Sequence, residues 1–246
     1  MQELFRTIAI VIAMICLFCV SSSLITDETA VSNSMKQWTA GTQVTEKDIA
    51  AFGENNCFAA EKISDKVFSR MNNKSYKPGC PIGRDQLRYL KLLHKDAKGR
   101  IFLGEMVVNR EIASDVVEIF HKLYKANYPI ERMLLIDNYN ANDEQSMRDN
   151  NTSAFCFRPV KGTKILSAHS RGMAIDINTL YNPYEKIRKD GTRIVQPSTA
   201  TQYCDRTKSF PYKIEKGDLC HRLFIEKGFS WGGSWKSCKD YQHFEK

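Results

Sequence analysis

The sequence predicts an α+β fold: a single domain with a small, mainly antiparallel sheet and flanking helices, preceded by an N-terminal signal and extension. Three observations carry this. Strand-length apolar runs such as "RIFLGEMVVN" stand beside stretches of helical periodicity such as "REIASDVVEIFHKLYKANYP". The two kinds are mixed without a regular strand–helix–strand rhythm, which argues against a doubly wound parallel sheet. With 246 residues, 42% of them hydrophobic and 26% charged, the chain suits one domain of ordinary size and is not composed like a disordered one.

Taken in order, the chain begins with "MQELFR", the apolar run "TIAIVIAMICLFCV" and small residues at 21–23. That pattern reads as a secretory signal peptide over 1–23, with an uncleaved membrane anchor as the alternative. The apolar run falls short of the ~20 residues that a bilayer span requires. Residues 24–55 are polar and read as a linker or loosely packed lead-in, and 56–246 as the folded domain. "CFAAEKISDKVFSRMNNKSY" sets Ile63, Val67 and Phe68 at helical spacing and ends in an Asn-Asn turn. "DQLRYLKLLH" and "RIFLGEMVVN", joined through Gly99, predict a hairpin.

An amphipathic helix follows, with Ile112, Val116, Ile119, Phe120 and Leu123 on one side and Pro129 beyond its end. "IERMLLID" predicts a short buried strand, and the Asn/Asp-rich stretch after it a long loop of the kind that carries function. "GMAIDIN" alternates like a strand, with Ala174 and Asp176 on one face and Ile175 and Ile177 on the other. "GDLCHRLFIEKGF" predicts a helix that Gly228 can cap, and "YQHFEK" a last strand.

Eight cysteines are present, two of them in the signal. The other six, Cys57, Cys80, Cys156, Cys204, Cys220 and Cys238, form an even set in an exported chain and so predict disulfides, with fifteen pairings open. None of them shares a CxxC spacing, which disfavours a cysteine zinc site. The net charge of +8 fits an anionic envelope polymer or lipid surface, or simply a well-solvated surface. Export argues against nucleic acid as a partner.

The chemistry concentrates in two places. In "SAHSRGMAIDIN", residues 167–178, His169 lies in a turn relaxed by Gly172, and Asp176 interrupts an apolar strand. A carboxylate there is costly unless a cation or hydrogen-bond donors compensate it. Zinc takes two imidazole nitrogens and one carboxylate oxygen readily, and His243 in the closing "DYQHF" would be the third ligand. A turn at "KDYQ" would let Asp240 face the same site and act as general base and then acid. Gly232 and Gly233 allow close backbone approach, and Trp231 and Trp235 could wall a cleft. His121 and His221 lie on amphipathic helices and read as packing or surface residues. Taken alone, either half of the pattern is better read as an ordinary structural pair.

Ser167, His169, Gly172, Ala174 and Asp176 match the SxHxxGxAxD signature of the D-alanyl-D-alanine carboxypeptidase-like zinc peptidases. The closing "GFSWGGSWKSCKDYQHFE" resembles that family's GWxWGGxWxxxxDxxHFE ending. The branch with VanY-type carboxypeptidases and L-alanyl-D-glutamate endopeptidases is the nearest in pattern, and the Hedgehog signalling domain is similar in fold.

The resemblance implies Zn²⁺ as cofactor, held by His169, Asp176 and His243, with Asp240 as the catalytic carboxylate. It implies an upstream arginine that steadies the oxyanion; Arg158 is best placed and Arg148 competes. Ser153, Ser167 and Trp231 are expected to line the substrate site, and the metal-site core to span about 130–246. The implied activity is hydrolysis of an amide bond in peptidoglycan stem peptides by metal-activated water, as a carboxypeptidase on D-Ala-D-Ala or an endopeptidase on L-Ala-D-Glu. The alternative is a zinc-stabilised wall-binding module of the same fold without catalysis. The substrate partner is then a peptidoglycan peptide, and the protein a monomer that is secreted or held at the membrane by its N-terminal segment.

Overall fold

The computed structural model of the chain describes residues 33–158 and 165–246. The signal or anchor expected at 1–23 lies outside the described residues. Among the described residues, no helix is long and apolar enough to cross a membrane.

The architecture is α+β with small, mostly antiparallel sheets. A helical turn, α1 (33–37), leads into β1 (Gln43–Val44) and α2 (Glu46–Phe52). Then come β2 (Ala59–Lys62), α3 (Asp65–Met71), β3 (Leu87–Lys95), β4 (Ile101–Asn109) and α4 (Ala113–Lys125). The first sheet has four strands in the order β1-β4-β3-β2. The predicted hairpin is its centre, in register from Leu87↔Asn109 to Lys95↔Ile101. Its turn is held by Asp96, whose Oδ1 accepts the backbone N–H groups of Lys98 at 2.9 Å and Arg100 at 3.0 Å. On α4, Val116, Ile119, Phe120 and Leu123 are buried, as the helical spacing predicts.

The lead-in is more ordered than its polarity suggests. From residue 33 it is part of the folded unit: Met35, Trp38, Val44 and Ile49 are buried, β1 pairs with β4, and Trp38 Nε1 donates to the Gly104 carbonyl at 2.9 Å. A few widely spaced apolar residues leave no periodic trace, yet each reaches the core. The stretch around Ile63 also divides differently from the prediction. Ser64 caps α3, accepting from the Val67 N–H, so the helix starts there and the residues before it pair with β3 as β2.

Beyond α4 come β5 (Arg132–Met133), α5 (Asp143–Arg148), β6 (Asn151–Thr152), β7 (Ala174–Asp176), β8 (Tyr184–Ile187) and β9 (Arg193–Gln196). The chain ends with α6 (Leu219–Glu226), β10 (Ser230–Trp231), β11 (Lys239–Asp240) and β12 (His243–Glu245). "IERMLLID" yields only the two residues of β5, paired in parallel with β6, before the chain turns at Ile136. The long loop holds α5, started by the Asn142 side chain, which accepts from the Gln145 N–H at 3.1 Å. Two three-stranded sheets, β10-β12-β7 and β11-β8-β9, carry the C-terminal part. One apolar cluster runs from Met35 to Phe244 and includes residues of the first sheet, α4, β7, α6 and β12.

The predicted disulfides are absent among the described residues: all six cysteines are free thiols. Cys57, Cys156, Cys204 and Cys220 are buried and fill the interior as small apolar side chains. Burial pushes the Cys57 and Cys204 thiols up to about 11, which suppresses their reactivity.

Candidate metal centre

Strand periodicity builds the floor of the site. In the β7–β12 pair, His243 lies opposite Asp176 and Phe244 opposite Ile175. Ile175, Ile177 and Phe244 are fully buried, so the alternation of side chains turns Asp176 and His243 together to the other face. His169 comes from a 3-10 turn, Ala168–Arg171, capped by Ser167 and closed by Gly172 at φ 67. A Cβ on Gly172 would stand 2.7 Å from the Asn109 backbone nitrogen, so the turn docks against the end of β4 only because glycine is there.

Three donors converge on one point. His169 Nε2 is 3.2 Å from His243 Nδ1, and Asp176 places Oδ2 3.2 Å from the first and Oδ1 2.9 Å from the second. Each imidazole is fixed through its other nitrogen. His169 Nδ1 lies 2.7 Å from the Ala154 carbonyl, and His243 Nε2 lies 3.3 Å from Glu245 Oε2. Backing of this kind selects which nitrogen faces a metal. Two bonds of ~2.1 Å to a common ion set donors roughly 3.4 Å apart in a tetrahedral arrangement, close to the separations found.

The electrostatics favour positive charge at this point. Burial alone would lower the pKa of His243, but the hydrogen bonds to Asp176 and Glu245 prevail and push it up to about 10. Burial alone would raise Asp176, yet the neighbouring imidazoles hold it well below the usual carboxylate range. Two nitrogens and a carboxylate, pre-oriented and short of positive charge, fit a divalent zinc ion.

Asp240 ends β11, and the chain turns at Tyr241 and Gln242 before β12, the turn required to bring Asp240 beside His243. Gly232 sits against both. A Cβ there would be 2.6 Å from the Asp240 carbonyl oxygen and 3.3 Å from the His243 Cβ. Asp240 Oδ1 is buried with no hydrogen-bond partner. Burial pushes this carboxyl up to about 7; the charge on His243 opposes the rise and that on Asp176 adds to it. The Trp235 ring centre lies 5.3 Å from that of His243, so Trp235 walls the site. Trp231 does not. It is buried, donates Nε1–H to the Tyr241 carbonyl at 2.9 Å and packs on Phe244, which makes it a core residue.

The charge of Arg158 acts on both Asp176 and Asp240. Its Nε is 2.6 Å from Asp143 Oδ2, an ion pair in distance without an aligned N–H. Arg148 is engaged elsewhere, with Glu144 at 3.0 Å and Ser198 at 2.8 Å. Ser167 is spent inside the protein: its hydroxyl caps the His169 turn and donates to the Arg158 carbonyl at 3.2 Å. Ser170, which sequence reasoning missed, receives the Arg158 N–H at 2.8 Å and bonds back to its carbonyl. Ser153 meets the site through its backbone, bridged to Asp176 by bonds of 3.0 and 2.9 Å. Glu245 was also missed, although it lies two residues from His243 and therefore on the same strand face.

Residues 161–246 match the family model described as D-alanyl-D-alanine carboxypeptidase. The matched segment contains His169, Asp176, Asp240 and His243, while Arg158 and everything before it lie outside. No curated protein and no solved structure matches the chain.

Proposed function

With residues 161–246 assigned to the D-alanyl-D-alanine carboxypeptidase family, we propose that the chain is a zinc-dependent peptidase that hydrolyses an amide bond in peptidoglycan stem peptides. The observation that carries this is the meeting of His169 Nε2, His243 Nδ1 and the Asp176 carboxylate beside the unpartnered oxygen of Asp240. Zinc held by the three residues would supply Lewis acidity to the scissile carbonyl and to a water.

The chain's own groups do the rest. Asp240, raised toward neutrality, takes a proton from the attacking water and delivers it to the departing amine as the C–N bond breaks. Arg158, tethered by Asp143, balances the charge that develops on the carbonyl oxygen. Ala154 and Glu245 keep the imidazoles aimed. Trp235 limits how a peptide can lie against His243. A purely structural zinc module would gain nothing from a buried carboxyl with an orphaned oxygen, since that group costs stability.

This reading puts the protein outside the cytoplasm, exported or held at the envelope by its N-terminal segment, and acting as a monomer. Incubation with soluble muropeptides, read by mass spectrometry with and without chelator, tests it. Chelator-sensitive loss of D-Ala, or cleavage between L-Ala and D-Glu, is the expected result. No cleavage of any stem peptide by zinc-loaded protein refutes it.

A further inference from the structure

One cavity of the described residues lies away from the metal centre, with none of the metal-binding residues in its lining. It has a volume of about 470 Å³ and is lined wholly by residues 37–138, ahead of the segment that the family model covers. It lies on the face of the first sheet that carries Tyr89, Lys91 and Glu105, with α3 along one side.

Its charge is biased. Lys62, Lys66, Arg70 and Lys91 line it, against Glu61 and Glu105. Glu105 is fully committed within the protein: Arg70 binds it through both Nη atoms and Tyr89 Oη donates to it at 2.8 Å. Lys91 is paired with Glu61 at 2.6 Å. Among the described residues, Lys62 and Lys66 form no ion pair, and both are exposed. Arg70 is 35% exposed, and its Nη2 also donates to the Asn138 side chain at 3.3 Å. The concavity thus offers two uncommitted ammonium groups in a lining where cations outnumber carboxylates, which suits a carboxylate ligand.

We propose that this cavity is a second binding site that takes carboxylate-bearing segments of the wall polymer whose peptides the metal centre cuts. The inference rests on the proposed function. It gives the part of the chain outside the family-matched segment a task of its own, holding a polymeric substrate while a stem peptide enters the metal centre. No lining residue of the cavity belongs to the metal centre, so a soluble muropeptide can be cut there without it, and the cavity serves the polymer.

The double variant Lys62→Glu, Lys66→Glu tests this in two assays. With wild-type protein in chelator, where nothing is cut, co-sedimentation with purified sacculi is expected, weakening as salt rises. The variant should bind about tenfold less. With zinc, the variant should cleave soluble muropeptides at the wild-type rate but intact sacculi several-fold more slowly at limiting polymer. Sacculi stripped of phosphate polymers should give the same difference. If only unstripped sacculi show it, the ligand is a phosphate and the carboxylate assignment falls. Equal sedimentation of variant and wild type overturns the site itself, even where muropeptide cleavage stands. Absence of all cleavage overturns the peptidase reading and leaves the sedimentation result to decide the site.

Discussion

His169 Nε2 and His243 Nδ1 stand 3.2 Å apart although 74 residues separate them in sequence, and Asp176 touches both. Such a cluster is costly without a cation. Zinc at 100 times its dissociation constant should therefore raise unfolding stability by about 2.7 kcal/mol. Denaturant titration with and without chelator measures the increment, and metal analysis should find one zinc per chain. In Asp176→Ala both should vanish. If the variant keeps its zinc and the increment, the three residues are not the ligands.

Asp240 does not ligate in this arrangement; its orphaned oxygen stands beside the donor cluster. Asp240→Asn should keep stoichiometric zinc and lose roughly 10²- to 10⁴-fold in kcat, the range for removal of a general acid–base group. Retention of most of the turnover would take the proton-transfer role away from Asp240. Loss of zinc would make it a ligand instead.

Much of this centre was legible because strand periodicity is local. Ile175 and Ile177 in the core force Asp176 to the opposite face, and the same alternation links His243 with Glu245. The required turn before His243 could be read from the spacing of Asp240 alone. Other features were not legible, because they depend on which side chains meet in space. Trp231 and Trp235 look alike in sequence, yet one packs on Phe244 and the other faces His243. Asp143 reaches Arg158 from α5, an element hidden in a polar loop. The cysteines suggested pairing by number and context, whereas their place in the interior is decided by packing.

The adjacent glycines of the closing motif separate two effects that sequence alone merges. In Gly232→Ala the new Cβ would lie 2.6 Å from the Asp240 carbonyl and 2.8 Å from its Cβ, so Asp240 must shift relative to His243. In Gly233→Ala it would lie 2.3 Å from the Trp231 ring, which disturbs the core. Overpacking of this sort costs about 1–3 kcal/mol. The expected outcome is a fall in kcat that exceeds the loss of stability for Gly232→Ala, and the reverse order for Gly233→Ala. Matched kinetics and melting curves for the two proteins decide it; identical profiles would mean that Gly232 has no special hold on Asp240.

His94 sets an acid limit on the fold independently of the metal centre. It is buried in the first sheet, with Nδ1 2.8 Å from the Ile130 carbonyl and its ring stacked on Phe102. Burial pushes its pKa down to about 4 from an ordinary 6.5, with the Ile130 carbonyl opposing only part of the shift. Between those two values the unfolded chain binds a proton that the folded chain refuses, so stability is full above the higher value and falls as the pH drops toward the lower. The loss attributable to this one group is about 3 kcal/mol. His94→Gln keeps a donor for the Ile130 carbonyl and removes the titration. Its unfolding free energy should therefore change less than that of the wild type between pH 7 and pH 4, whatever its absolute stability. Parallel pH profiles for the two proteins would show that His94 titrates as freely folded as unfolded.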